Sequence, residues 1–509
     1  MELKYEDILK FDNLNHLEPN KVVGILGLIF ETSREHGKIE DLKTGLELSE
    51  KQNLDSFDDH NKMVFHYNVA NGWSYLQVLT QKVNSDDFWA FKFQELEKQI
   101  INLRLALIFS ERVHDDFNKC QILTNLGNLF SHIGRFSEAL LYWHKALRIT
   151  PNFPMAVGNI GFGLFHYAKA LYDAGQQSVF FKFTYKYLTD SLELDISPRA
   201  KQSFSAIAKN LEERFNNKQL KDLKGLGDYS LGKTKDEQKY RKWCLNNRLF
   251  LNPINDITIE SIAAHDCLLL PTMTLKFYQP PVYQTIFNQL KQEFVSGRFF
   301  LFEGITQKSK HFSDKGNLQM DTLDYATYSF SIEKVKIAFR MCYSILDKIG
   351  YLLNEYMDLG FTPDQVSFRK IWYIYKNKKP DGLNPKITET KNWALRGLFW
   401  LSMDLYEKND LEFVSSIEPD AKDLALMRNY IEHKSFKTVE FGELSFVDNG
   451  LTFLISRTEF ELRTLKLFRL IRAAMIYLSI GINQEESKKI INRPTLQIDF
   501  IDLKDDYKY

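Results

Sequence analysis

Cysteine is scarce in this chain of 509 residues, and its four copies, Cys120, Cys244, Cys267 and Cys342, are scattered without CxxC or His/Cys ligand spacing. Neither a disulfide framework nor a structural zinc site is therefore indicated. Long apolar runs are missing too: the longest, roughly Ala473 to Ile482, is about half of the ~20 residues a membrane helix requires. The opening MELKYEDILK has no basic n-region leading into an apolar core, so no secretory signal is read and a cytoplasmic protein without membrane contact is expected. No charge of one sign dominates, because 66 basic side chains balance 66 acidic ones. That excludes a protein that coats nucleic acid or anionic membrane by bulk charge. No GxxxxGK[ST], GxGxxG, HExxH or GxSxG occurs, and Gly232-Lys233-Thr234 lacks the preceding strand and glycine spacing of a phosphate loop. ATP, dinucleotide, zinc-protease and serine-hydrolase chemistry have no support, and no cofactor or metal is expected.

What is present is an ordered composition, 44% apolar and 14% aromatic. Single cores rarely grow past roughly 250 to 300 residues, so two or three domains are expected. The first 200 residues are self-similar. In the unit Cys120 to Phe153, Leu126, Gly127 and Phe130 fall on a first helix, Gly134 on a turn, Ala139, Trp143 and Ala146 on a second helix, and Pro151 stops it. These offsets resemble the 34-residue tetratricopeptide (TPR) repeat, in which small residues let two antiparallel helices approach. Weaker copies are read at Val69 to Val113, at Asn159 to Leu194, and at Val22 to Glu50 around Gly37. The array is assigned to residues 1–215.

From about Phe215 to Phe250 the chain turns polar and Gly-punctuated, and residues 216–250 are read as a basic connector. Residues 251–509 form a second domain, with long helical patterns at Tyr283–Glu303, Ile332–Leu359, Asn392–Glu407, Ala421–Lys437 and Thr458–Ile482. Val366–Tyr375 reads as strand, and Glu440–Ile455, with Asn449-Gly450 between two apolar runs, as a type I′ hairpin.

The candidate chemistry lies in Arg428-Asn429-Tyr430-Ile431-Glu432-His433. A histidine exchanges protons near neutrality, and an arginine fork suits phosphate oxygens. His433 could handle the proton of an RNA 2′-hydroxyl or of the leaving oxygen while Arg428 steadies charge on the phosphorane and Asn429 orients the phosphate. Ten of the eleven histidines lie at or before His311, and no other arginine precedes a histidine at four to six intervening residues. Five helical residues advance about 500°, so Arg428 and His433 point about 140° apart. Convergence then needs the reach of arginine, a distortion, or a second subunit.

An Arg-x4-6-His pattern with a polar residue after the arginine resembles the signature of the HEPN (higher eukaryotes and prokaryotes nucleotide-binding) superfamily. The blocks Tyr240–Asp256, Phe287–Glu303, Ser344–Tyr356, Leu395–Tyr406 and Ser456–Ser479 are similar to a bacterial HEPN branch with amino-terminal TPR-like helices. The resemblance implies an all-α fold, a TPR-like helical repeat array followed by a HEPN helical bundle with small β-hairpin insertions. It places the motif near the start of a late helix and implies a metal-independent endoribonuclease acting on RNA as a homodimer, in phage defence or as a toxin. A peptide, protein or phage-derived trigger would bind the array. Arg428, Asn429 and His433 take the motif positions, with Asp347 as a candidate buried polar partner of the arginine. Arg469 and Arg472 are candidates for RNA contact, and the loop cations Lys308, Lys310, His311 and Lys315 suggest it more faintly. The alternative is a non-catalytic TPR/HEPN scaffold or RNA-binding interaction protein. The neutral total hides −5 over residues 1–200, +6 over 201–250 and −1 over the remainder. Any grip on RNA is therefore expected to be local.

Overall fold

The computed structural model describes residues 5–81, 89–275, 278, 280–323, 325–406, 419–440, 447–448, 450–489, 503 and 505. Its amino-terminal half is α1 (Tyr5–Ile8), α2 (Pro19–His36), α3 (Ile39–Glu50), α4 (Asp59–Thr80), α5 (Gln94–Ser110), α6 (Asp116–His132), α7 (Phe136–Ile149), α8 (Pro154–Ala170), α9 (Ala174–Leu192) and α10 (Pro198–Arg214). Helix starts follow capping chemistry. Asp58, Asp115, Asp173 and Ser197 each accept a backbone N–H in the first turn of α4, α6, α9 and α10, and Pro19, Pro154 and Pro198 occupy first positions. The packed pairs α2/α3, α4/α5, α6/α7 and α8/α9 fall where the four repeat units are expected.

The middle and carboxy-terminal parts add α11 (Asn217–Lys221), α12 (Lys235–Asn246), α13 (Val282–Thr306), α14 (Phe330–Tyr356), α15 (Pro385–Thr388), α16 (Trp393–Tyr406), α17 (Pro419–His433) and α18 (Arg457–Glu486). The long helices α13, α14 and α18 pack together, while α17 lies against α14, α16 and α18. The strands are β1 (Ala326–Thr327), β2 (Tyr373–Lys376), β3 (Lys379–Leu383), β4 (Ser435–Val439), β5 (Val447–Asp448) and β6 (Thr452–Ser456). The fold is thus all-α with small strand decorations. Only the end of the expected 366–375 strand forms, because Phe368, Ile371 and Trp372 are drawn into the core ahead of the β2–β3 hairpin. Of the expected 440–455 hairpin, Val447 and Asp448 pair antiparallel with Leu454 and Phe453, and Gly450 supplies the positive φ of 83°. Asn449 lies outside the described residues, as do positions 441–446. The same strand β6 also runs parallel to β4, in the order β1-β4-β6-β5.

The stretch read as a connector is polar only on its surface. Leu220, Leu226, Cys244, Leu245, Leu249 and Phe250 are buried, and the last four join one apolar core that runs from Met63 to Ile482. The two halves meet at a seam through this core. Phe136 of α7 packs on Trp393 and Tyr477, with ring centroids 4.7 and 4.5 Å away. The indole of Trp393 donates to Ser131 O at 2.8 Å, and that of Trp400 to Phe91 O at 2.8 Å. Gly134, at φ 90°, and Gly397 meet backbone to backbone: a Cβ on Gly134 would stand 1.9 Å from Trp393 O, and one on Gly397 2.2 Å from Gly134 O. No larger residue fits either place.

Buried charge completes the seam. Arg104 of α5 grips both oxygens of Asp404 at 2.8 Å, and Arg135, at the start of α7, bonds the same carboxylate as well as Glu138. On the far side Arg472 pairs with Asp256 and donates to Asn252 O at 2.7 Å, while Ser137 and Tyr167 donate to Asp256 Oδ2 at 2.8 and 3.0 Å. Burial would raise the Asp404 carboxyl, but Arg104 and Arg135 outweigh it and hold it well below the usual carboxylate range. Removing this one charge strands the Arg104 guanidinium and leaves Arg135 with Glu138 alone. Asp404→Asn is expected to cost about 3–5 kcal/mol in urea unfolding, against no change for Asp381→Asn at an exposed position.

Candidate functional site

Helix α17 buries Leu424, Met427 and Tyr430 at intervals of three, and this stripe fixes what faces outward. The Tyr430 ring packs 5.5 Å from Phe453, and Asp423 ties the helix to α18 through Arg463 at 2.7 Å. Opposite the stripe, Asn429, Glu432 and His433 are exposed and Arg428 is half-buried. Among the described residues, none hydrogen-bonds or ion-pairs with Arg428, Asn429 or His433. The arginine and histidine stand on opposite flanks of the exposed face, about 140° apart, with Asn429 and Glu432 between them. One chain does not bring Arg428 and His433 together.

The motif lies at the carboxy-terminal end of its helix, not near the start. The reason is local: Ser435–Val439, rich in aromatic and β-branched residues, pairs as β4 with β6 and ends the helix at His433. Lys434 secures the exit, donating to Gly450 O at 2.8 Å and sitting 4.6 Å over the Tyr430 ring. His433 is therefore held at a firm helix-to-strand corner.

The supporting residues fall elsewhere. Asp347 is half-buried on α14, and its carboxylate accepts from the Phe368 backbone N–H at 3.2 Å, so it anchors the chain after α14 and is not a partner of Arg428. Lys348 pairs with Glu293. Arg472 is buried and spent on Asp256, Asn252 O and Phe250 O, which corrects its assignment as an RNA contact. Arg469 is half-buried and donates to Asn247 O at 2.9 Å, with part of its guanidinium left over. The seam residues Arg104, Arg135, Asp256 and Asp404 were not legible as a unit, since the pairs Arg104–Asp404, Arg135–Asp404 and Arg472–Asp256 join positions more than 200 apart.

Four of the other histidines are poor proton shuttles. Burial lowers His66 and His166, and burial with a nearby arginine pushes His132 down to about 3 (Arg396) and His144 to about 4 (Arg248, Arg148). Among the described residues no group of three or more His, Cys, Asp or Glu side chains is arranged to hold a metal ion. No helix of the described residues is long and apolar enough to cross a membrane.

The family described as LA2681-like HEPN matches residues 274–485, less than half of the chain, and supports the HEPN superfamily for the segment that holds α17. The Tyr240–Asp256 block lies ahead of that match. No curated protein matches the chain, and no solved structure does.

The lowered histidines have a consequence for acid stability. The unfolded chain protonates them near the ordinary 6.5, the folded chain only near 3 and 4. The unfolded state thus binds more protons between these values, so this part of stability is intact above about pH 6.5 and is lost as pH falls towards 4. His144→Gln should flatten the fall of unfolding free energy between pH 6.5 and 4; parallel curves for variant and parent would contradict the assignment.

Proposed function

We propose that the protein is a metal-independent endoribonuclease whose site is completed between the α17 helices of two copies. The observation that carries this reading is the solvent-facing Arg428, Asn429 and His433, unpaired among the described residues, within the segment matched by the HEPN family. An unpaired guanidinium and an unburied imidazole are the two groups needed for cleavage through the RNA 2′-hydroxyl. His433 of one copy takes the 2′-hydroxyl proton as O2′ bonds to phosphorus. The P–O5′ bond breaks, and the proton is returned to the departing 5′-oxygen. Arg428 of the other copy, with Asn429, holds the phosphorane oxygens. The products are a 2′,3′-cyclic phosphate and a 5′-hydroxyl. Separation of the two side chains by about 140° favours this two-copy arrangement over a site within one chain.

The amino-terminal array is, in this reading, a TPR-type regulatory surface. A cavity of about 690 Å³ on it is lined by carboxamides, Asn68, Asn71, Gln77, Gln99, Asn125 and Asn128 among them, which suits a peptide or protein trigger. Such a nuclease fits a toxin or phage-defence role in the cytoplasm. A non-catalytic scaffold is favoured by one observation only, the failure of Arg428 and His433 to meet in a single chain.

The two readings separate on RNA cleavage. His433→Ala should reduce it by about 100-fold or more while leaving the melting temperature unchanged, and the wild-type ends should be 2′,3′-cyclic phosphates in the presence of a chelator. Equal cleavage by variant and parent, or 5′-phosphate ends formed only with added metal, would sink the proposal.

A further inference from the structure

The segment from Arg369 to Lys379 carries five basic side chains, Arg369, Lys370, Lys376, Lys378 and Lys379, and no acidic one, in a domain whose total over residues 251–509 is −1. All five are exposed. The last three stand at the tip of the β2–β3 hairpin, where Lys376 and Lys379 are cross-strand partners on either side of the two-residue turn Asn377-Lys378. Both turn residues have a positive φ, 50° and 64°. Such a turn favours glycine at its second place, because a Cβ is strained there, yet this chain sets a lysine in it. Like charges directly opposite each other on two strands also repel. The hairpin thus accepts two local penalties and gathers three ammonium groups at one tip.

Among the described residues, Lys376, Lys378 and Lys379 have no ion pair or side-chain hydrogen bond, and Asp381, which follows on β3, pairs with none of them. Elsewhere in the same domain Lys336, Lys348, Lys386 and Lys488 are held by Glu333, Glu293, Asp358 and Glu485. The base of the hairpin is firmly seated. Trp372 is buried, and Tyr373 reaches α16, its hydroxyl 3.3 Å from Met403 Sδ and its ring 6.5 Å from that of Phe399. Helix α16 in turn packs on α17. Between base and tip, the Tyr375 ring meets Phe361 edge-on at 6.2 Å and stays exposed.

Three unpaired ammonium groups on one ribbon match a chain of phosphates. An exposed ring behind them suits an unstacked base, which a single strand offers and a duplex does not. A lipid surface would call for apolar residues at the tip, and the tip is Asn377-Lys378. We propose that the β2–β3 hairpin is a finger that binds the backbone of single-stranded RNA through Lys376, Lys378 and Lys379. The identity of the polyanion rests on the ribonuclease reading, to which the finger adds a grip on substrate outside α17.

The test uses the full-length chain and a fully 2′-O-methylated single-stranded oligoribonucleotide, which cannot be cleaved through its 2′-oxygen. Lys378→Gly supplies the residue that the turn favours, so it should hold or raise the melting temperature while lowering oligonucleotide affinity about threefold. Lys376→Gln, Lys378→Gly and Lys379→Gln together should lower affinity about tenfold or more and reduce the slope of log affinity against log salt by about two. A matched triple variant at exposed positions of α10 and α11, Lys201→Gln, Lys209→Gln and Lys218→Gln, should leave both unchanged. No binding by the parent, unchanged affinity in the hairpin triple variant, or an equal loss in the matched one overturns the proposal. So does a hairpin triple variant that loses binding to phosphatidylserine vesicles and keeps its affinity for the oligonucleotide. The probe reports binding alone, so the two readings fail separately: a parent that cleaves RNA beside a hairpin variant of unchanged affinity refutes only the finger, and a parent that binds through the hairpin without cleaving refutes only the ribonuclease.

Discussion

Asp404 is the charge around which the two halves of this molecule are joined. Its carboxylate is buried in α16, a place where an unpaired ion costs several kcal/mol, and both guanidiniums that neutralise it come from the amino-terminal half. Among the described residues, Arg104 finds its carboxylate only across the seam. Glycines at 134 and 397 then let the two backbones touch, and Phe136 fills the space between Trp393 and Tyr477. A repeat array joined by a flexible linker would need none of this. The array and the bundle share one core, and their separation would expose ions and aromatics together.

In the proposed reading, that junction bears on regulation. Helices α5 and α6 have two faces. One lines the carboxamide cavity with Gln99, Leu103, Asn125 and His132; the other holds α16 through Arg104 and through the Ser131 carbonyl. Helix α16 packs directly on α17, whose outer face carries Arg428 and His433. A ligand that shifts α5 or α6 therefore meets α16 at its buried ion pair, one helix away from the candidate chemistry. Close-packed interiors tend to pass such displacements on.

Local pattern made much of this readable. Gly134 at its turn, Pro151 at the helix stop and the α6/α7 offsets announce a helical hairpin from a short stretch of chain, and the Arg428–His433 spacing stands out because histidine is so rare after position 311. What stayed hidden depends on distance in sequence. Arg104 and Asp404 are 300 residues apart, Arg472 and Asp256 216, and nothing near either partner announces the other. Arg463, Arg469 and Arg472 look alike on a helix, yet one ties α17, one ties Asn247 and one is sunk against Asp256. The motif's place at the end of α17 was also misread, because β4 owes its existence to a parallel partner, β6, that follows later in the chain.

The arginine and histidine of α17 are fixed by the buried stripe behind them, and a single helix cannot turn them towards each other. The proposed site is shared across two copies, with each cleft drawing Arg428 from one chain and His433 from the other. The direct measurement is RNA cleavage by a mixture of Arg428→Ala and His433→Ala chains, each inactive alone. Random pairing leaves both groups in about a quarter of the sites, so the mixture should recover about that share of wild-type cleavage. A mixture that exchanges subunits yet stays as inactive as its components, beside an active wild type, would contradict a shared site.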